Sequence, residues 1–122
     1  MRRAVVLAGL AALALTACAG GARDTATFQG VYRAGFETQA FWPADGAGPY
    51  WVDGDARALE TLDAAVKRAN GGSPWGGVRV EVEGTLSPPG KYGHLNAYER
   101  KLRVRKVKAV LGPETDAAGA RG

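Results

Sequence analysis

All ten aromatic residues of this 122-residue chain fall between Phe28 and Tyr98. A hydrophobic core must therefore form inside that window. The flanking stretches, 19–27 (AGGARDTAT) and 112–122 (GPETDAAGARG), contain no large apolar side chain. Such segments bury too little surface to offset the entropy of ordering them. The first reads as a flexible tether and the second as a disordered tail, with one folded domain over 28–111 and neither an internal repeat nor a second domain.

The N-terminus has its own logic. Arg2 and Arg3 precede Ala4 to Leu15 (AVVLAGLAALAL), a run free of charge. It is too short to span a bilayer core as a helix, which takes about 20 residues. Its size and flanks match the apolar region of a signal peptide, so 1–17 is set aside from fold reasoning. Leu15-Thr16-Ala17-Cys18 follows. It resembles the lipobox of bacterial lipoprotein precursors, in which a Leu and two small residues precede the cysteine that is acylated and becomes the new N-terminus. The resemblance implies lipidation at Cys18, a membrane reached through the acylated N-terminus over the tether 18–27, and a cell-envelope address. Ala19, rather than Asp, after the cysteine implies the periplasmic face of the outer membrane.

Cleavage before Cys18 bounds the rest. Removing Arg2 and Arg3 from 16 basic residues leaves 14 against 12 acidic ones, so the mature chain is close to neutral at +2. That balance argues against nucleic acid as a partner. Cys18 is the only cysteine, so no intramolecular disulfide supports the fold and packing must do so. Two acyl chains give lasting attachment, each buried CH₂ contributing about 0.8 kcal/mol.

Within the domain, Val78, Val80, Val82 and Leu86 alternate with Arg79, Glu81, Glu83 and Thr85. Period-two alternation predicts a half-buried strand with the valines inside. Leu102 and Val104 alternate with Lys101, Arg103 and Arg105, but the next apolar residue is Val107; that offset predicts a bulge near Arg105 or Lys106. Upstream, Phe28 to Ala34 and Phe36 to Trp42 read as strands meeting at Gly35, and Pro49 to Val52 as a third after the turn residues 44–48. Between the third and fourth strands, Leu59, Leu62, Val66 and Ala69 recur at helical spacing. Asp53 or Asp55 can cap this helix, Asp63 and Lys67 form an i,i+4 pair, and Asn70-Gly71-Gly72 provides a left-handed stop. The order predicts a mainly β fold with one helix: a five-stranded OB-fold-like Greek-key barrel, with the helix between strands 3 and 4.

Gly30-Val31-Tyr32, Ala40-Phe41, Tyr50-Trp51-Val52, the leucine-bearing helix and Val80-Glu81-Val82-Glu83-Gly84 are similar in order and spacing to the OB domain of NlpE-type envelope lipoproteins. The segment from Leu86 to Tyr98 also resembles a loop of small proteobacterial lipoproteins. The likeness covers roughly residues 28–110. Those NlpE proteins carry a further domain with a Cys-x-x-Cys pair that has no counterpart here, so the resemblance implies a fold and an address, not an activity.

Catalysis finds few materials. A nucleophile needs an adjacent base, but His94 is the only histidine, and Ser73 and Ser87 stand in no nucleophile-elbow context. With one His and no free Cys, a zinc site would need several carboxylates. No catalytic residue, metal or cofactor is expected, and the chain reads as a non-catalytic binding or structural module. Two regions are candidates for binding. Ser87 to Tyr98 is long for a hairpin connection; its Lys91, Tyr92, His94 and Tyr98 form a ligand or partner loop, with His94 either a site residue or a brace tied to nearby backbone. The strand bearing Lys101, Arg103 and Arg105 contacts a polyanion such as a glycan or lipid headgroup, or instead pairs its cations with Glu81 and Glu83 across the sheet. Trp42, Trp51 and Trp75 are expected in the core. Partners in keeping with this reading are an envelope protein, a lysozyme to be inhibited, or an envelope assembly machine.

Overall fold

The computed structural model describes residues 25–114. The expected signal segment 1–17, Cys18, and most of the expected tether and tail lie outside the described residues. Five strands, β1 (Ala26–Gly35), β2 (Thr38–Pro43), β3 (Tyr50–Gly54), β4 (Gly76–Leu86) and β5 (Lys101–Pro113), form one sheet, and the helix α1 (Ala56–Ala69) stands between β3 and β4. A single 3-10 turn, His94–Asn96, lies in the β4–β5 connection.

The alternation in β4 is realised. Val78, Val80 and Val82 are fully buried, while Arg79, Glu81 and Glu83 reach the surface. Each such valine contributes on the order of 1.5–3 kcal/mol by leaving water. Strand order is β1-β2-β3-β5-β4, and β4 pairs back onto β1, so the sheet closes as a barrel. Neighbours are antiparallel except β3 and β5, which run parallel, Trp51 beside Lys101 and Asp53 beside Arg103. The interior holds Tyr32, Phe41, Tyr50, Val52, Val78, Val80, Val82, Leu102 and Val104. The helix adds its buried face of Ala58, Leu62, Ala65 and Val66, with Leu59 and Ala69 half-buried against the same core.

The helix ends are made locally. Asp55 occupies the N-cap position, and its carbonyl accepts the Leu59 N–H at 3.0 Å. Its carboxylate does not cap; it turns to Arg103, while Asp53 accepts the Gly54 N–H. Asp63 accepts a hydrogen bond from the Tyr32 hydroxyl. At the far end Gly71 is left-handed and the Gly72 N–H reaches back to the Lys67 carbonyl at 2.7 Å, closing the helix as a Schellman motif does.

The bulge in β5 falls at Arg105. Glu83 pairs with Lys106 and Gly84 with Val104, leaving Arg105 as the extra residue; further shifts leave Lys108 and Leu111 over in the same way. Other boundaries differ from expectation. β1 begins inside the expected tether 18–27, with Ala26 and Thr27 pairing to Gly84 and Glu83. β5 runs past the expected domain end at 111, with Gly112 and Pro113 opposite Arg79 and Val78. The long strand β4 has backbone donors and acceptors to satisfy along its whole length, whatever the side chains opposite. The tryptophans are not core. Trp42 and Trp75 are 48% and 57% exposed, and Trp51 is half-buried. Phe41 and Tyr50 are paired across β2 and β3 and point inward, so alternation sends their neighbours Trp42 and Trp51 outward.

Candidate functional site

The connection between β4 and β5 is built as a small ordered structure. At its base the Ser87 N–H donates to the Lys101 carbonyl at 2.9 Å, the Ser87 hydroxyl oxygen accepts the Lys101 N–H at 2.8 Å, and Arg100 donates to the Ser87 carbonyl. Further out, Tyr92 and Tyr98 exchange both backbone hydrogen bonds, at 2.9 and 3.1 Å. The Tyr92 hydroxyl donates to the Pro88 carbonyl. The 3-10 turn closes the tip, with Lys91 exposed beside it.

This loop lies on the outer face of β3. Gly93 has φ +72, and a methyl group there would sit 2.5 Å from the Trp51 indole. Only glycine permits both that backbone conformation and that approach. The Tyr98 ring meets Trp51 at 5.4 Å in an edge geometry. Ala40, paired with Trp51 on the outward side of β2, is only 2% exposed. From this seat the loop reaches the β1–β2 turn, where His94 Nε2 lies 2.9 Å from Glu37 Oε1. The partner of His94 is thus a carboxylate from a distant turn, not the nearby backbone expected from the sequence. Around this bridge Glu37, Leu95 and Asn96 all adopt φ near +57 to +59, a region costly for residues with side chains. Phe36 and Leu95, next to the bridged residues, stand 72% and 82% exposed.

The basic strand presents a second face. Lys101 Nζ lies 4.0 Å from Asp53 and 5.8 Å from the Tyr92 ring centroid. Arg103 approaches Asp53 at 3.7 Å and Asp55 at 3.4 Å. The expected partners, Glu81 and Glu83, are instead opposite Ala109 and Lys106. Arg103 lies opposite Thr85, nearer the β4–β5 connection than either glutamate, and Lys101 and Arg103 have a second neighbour in parallel β3. These exposed pairs contribute roughly 0–1 kcal/mol each. Lys101, Arg103 and Arg105 line one open groove of about 580 Å³ together with Thr25, Asp55, Thr85 and Ser87. Another groove, of about 720 Å³, runs on the far flank of the loop past Pro49, Tyr50, Leu86, Tyr98 and Arg100.

The loop residues Tyr92, His94 and Tyr98 are therefore brought together, Lys101 joins them through Tyr92, and Arg103 and Arg105 belong to the neighbouring groove. Glu37 and Trp51, which seat the loop, and Asp53 and Asp55, which engage the cations, escaped sequence reasoning. Their roles depend on strand neighbours that no local pattern specifies. Among the described residues no three His, Cys, Asp or Glu side chains converge as metal ligands. Ser73 donates to the Trp75 carbonyl and Ser87 to the Pro88 carbonyl, so each is engaged locally and not with His94. Elsewhere, burial pushes the Tyr32 hydroxyl above its ordinary titration range, and the nearby Asp63 carboxylate adds to the effect. Comparison with protein-family models, with curated proteins and with solved structures gives no match to this chain.

Proposed function

We propose that this chain is an envelope lipoprotein, acylated on Cys18, whose barrel is of the OB type and acts as a non-catalytic binding module. The fold reading draws on the strand order β1-β2-β3-β5-β4, the parallel β3–β5 pair and the helix between β3 and β4. The address reading draws on Leu15-Thr16-Ala17-Cys18. One observation carries the binding function. The loop from Ser87 to Tyr98 is seated on Trp51 through Gly93 and bridged to Glu37 through His94, which holds Phe36 and Leu95 out in water. A surface held in place before binding loses little entropy when a partner arrives, and exposed apolar side chains on such a platform are natural contacts. The partner is an envelope protein that covers Phe36 and Leu95.

The test places a photo-crosslinking side chain at Leu95, at Phe36, or at the exposed Glu60 of the helix, in the acylated protein in cells. Discrete crosslinked bands from Leu95 and Phe36, absent from Glu60, are expected. Identical patterns from all three positions would remove the loop from consideration. The identity of the band then tells an inhibited lysozyme from an assembly component.

A further inference from the structure

The groove walled by Lys101, Arg103 and Arg105 also has Thr25 in its wall. The chain therefore leaves the barrel toward Cys18 at the edge of a basic face. Thr25 lies seven positions after Cys18, a span of at most about 25 Å when fully extended. The tether is thus too short to hold this face far from the membrane that anchors it. The face is built for a surface of negative charge. Because Arg105 is the extra residue of the bulge, both it and Lys106 are exposed in succession. Arg57, one residue into the helix, lines a recess with the same two side chains, with Thr61, and with Asp55, the acid that Arg103 engages. Asp53 and Asp55 engage Lys101 and Arg103, and no described acid lies at ion-pair distance from Arg57, Arg105 or Lys106.

We propose that this basic face docks on the phosphodiester headgroups of anionic phospholipid in the same membrane that holds the acylated Cys18, a proposal that rests on the lipoprotein reading above. A headgroup layer attracts basic residues held near it strongly enough to shift a docking equilibrium about fivefold per cation. The attraction fades within a Debye length of roughly 10 Å at ordinary salt. The acyl chains supply attachment, and the cations of β5 and α1 fix which side of the barrel faces the lipid.

The test uses the acylated protein reconstituted in vesicles. Its single natural cysteine carries the lipid, so Thr61→Cys provides one free thiol for a fluorophore beside Arg105 and Lys106. Quenching by a headgroup-bound quencher is compared in phosphatidylcholine vesicles with and without phosphatidylglycerol. Docking predicts stronger quenching with phosphatidylglycerol, relieved by high salt. Arg105→Ala and Lys106→Ala should each lower the ratio of docked to undocked protein about fivefold, while Arg105→Lys retains it. Both side chains are exposed and engage no described acid, so melting should not move. Equal quenching in the two vesicle types, or indifference to both alanine substitutions, would overturn the proposal. Loss of the extra quenching on adding inorganic phosphate at constant ionic strength would also overturn it, by revealing a site for free phosphate. Mass analysis of Cys18 separates the two layers: acylated protein with equal quenching defeats only the docking face, whereas unacylated protein defeats the anchor and the docking with it.

Discussion

At the scale of single residues, position 93 decides whether the long loop lies on the sheet. A Cβ there meets the Trp51 indole at 2.5 Å on a backbone with φ +72, so Gly93→Ala must lift the loop or push the indole aside. The expected cost is about 1–3 kcal/mol, with faster tryptic cleavage at Lys91, the exposed lysine in the loop. Unchanged melting together with unchanged cleavage would mean the seat on Trp51 is not formed in solution. Tyr32 offers a test by pH. Its hydroxyl titrates above its ordinary value near 10 because it is buried, with Asp63 close by. The folded state therefore holds the proton more tightly than the unfolded state does. The associated stability is fully present below pH 10 and is lost as pH rises beyond it, at about 1.4 kcal/mol per pH unit for one proton. Tyr32→Phe should flatten the alkaline limb of melting temperature against pH by that amount. Nothing in local sequence marks Tyr32 or Gly93 for these roles, since each depends on a side chain from another element.

At the scale of elements, β4 is the part most openly written in the chain. Val80 is fully buried and Glu81 reaches the surface, so Val80→Asp should place an uncompensated charge in the core and unfold the domain. Glu81→Lys should cost less than about 1 kcal/mol. Similar melting of the two variants would contradict the register. The alternation was legible because Val78, Val80, Val82 and Leu86 share one strand face; the bulge at Arg105 was legible because Val104 and Val107 break the period. That β4 lies antiparallel beside β5 was legible too; that β3 lies on its other side was not, and with it went the partners of Lys101 and Arg103. A parallel pairing between β3 and β5 is set by how the whole barrel closes, not by either strand's own pattern. The same holds for the loop. Its length and its Tyr92, His94 and Tyr98 marked it as a candidate, but the carboxylate that meets His94 comes from Glu37 in the β1–β2 turn. A glutamine at 94 can still donate a hydrogen bond to that carboxylate, so His94→Gln should keep the loop closed. His94→Ala should release it at a cost of about 1 kcal/mol, the net worth of one hydrogen bond. Tryptic cleavage at Lys91 reads the difference: fast in His94→Ala, slow in His94→Gln. Equal rates in both would separate loop order from the bridge.

At the scale of the whole molecule, fold and address are independent properties of the chain. The core runs from Tyr32 to Val104, and Cys18 lies outside the described residues, seven positions before the first of them. A substitution at 18 should therefore move the protein without melting it. The chemistry is specific: acyl transfer needs the thiol, and signal cleavage in such precursors follows acylation at that residue. Two acyl chains hold a protein on a bilayer where one gives only marginal binding, so on the proposed lipoprotein reading losing the thiol would remove the lasting anchor entirely. Cys18→Ala should give a precursor that retains residues 1–17, takes up no labelled palmitate, and shows the wild-type melting temperature for the barrel. Because the apolar run from Ala4 to Leu15 stays attached, membrane fractionation alone does not read the anchor; the fatty-acid label and the mass of the N-terminus do. Palmitate incorporation that survives the substitution would end the lipoprotein assignment. A fall in melting temperature would instead show that the N-terminal segment packs on the barrel, which would change the distance argument for the basic face as well.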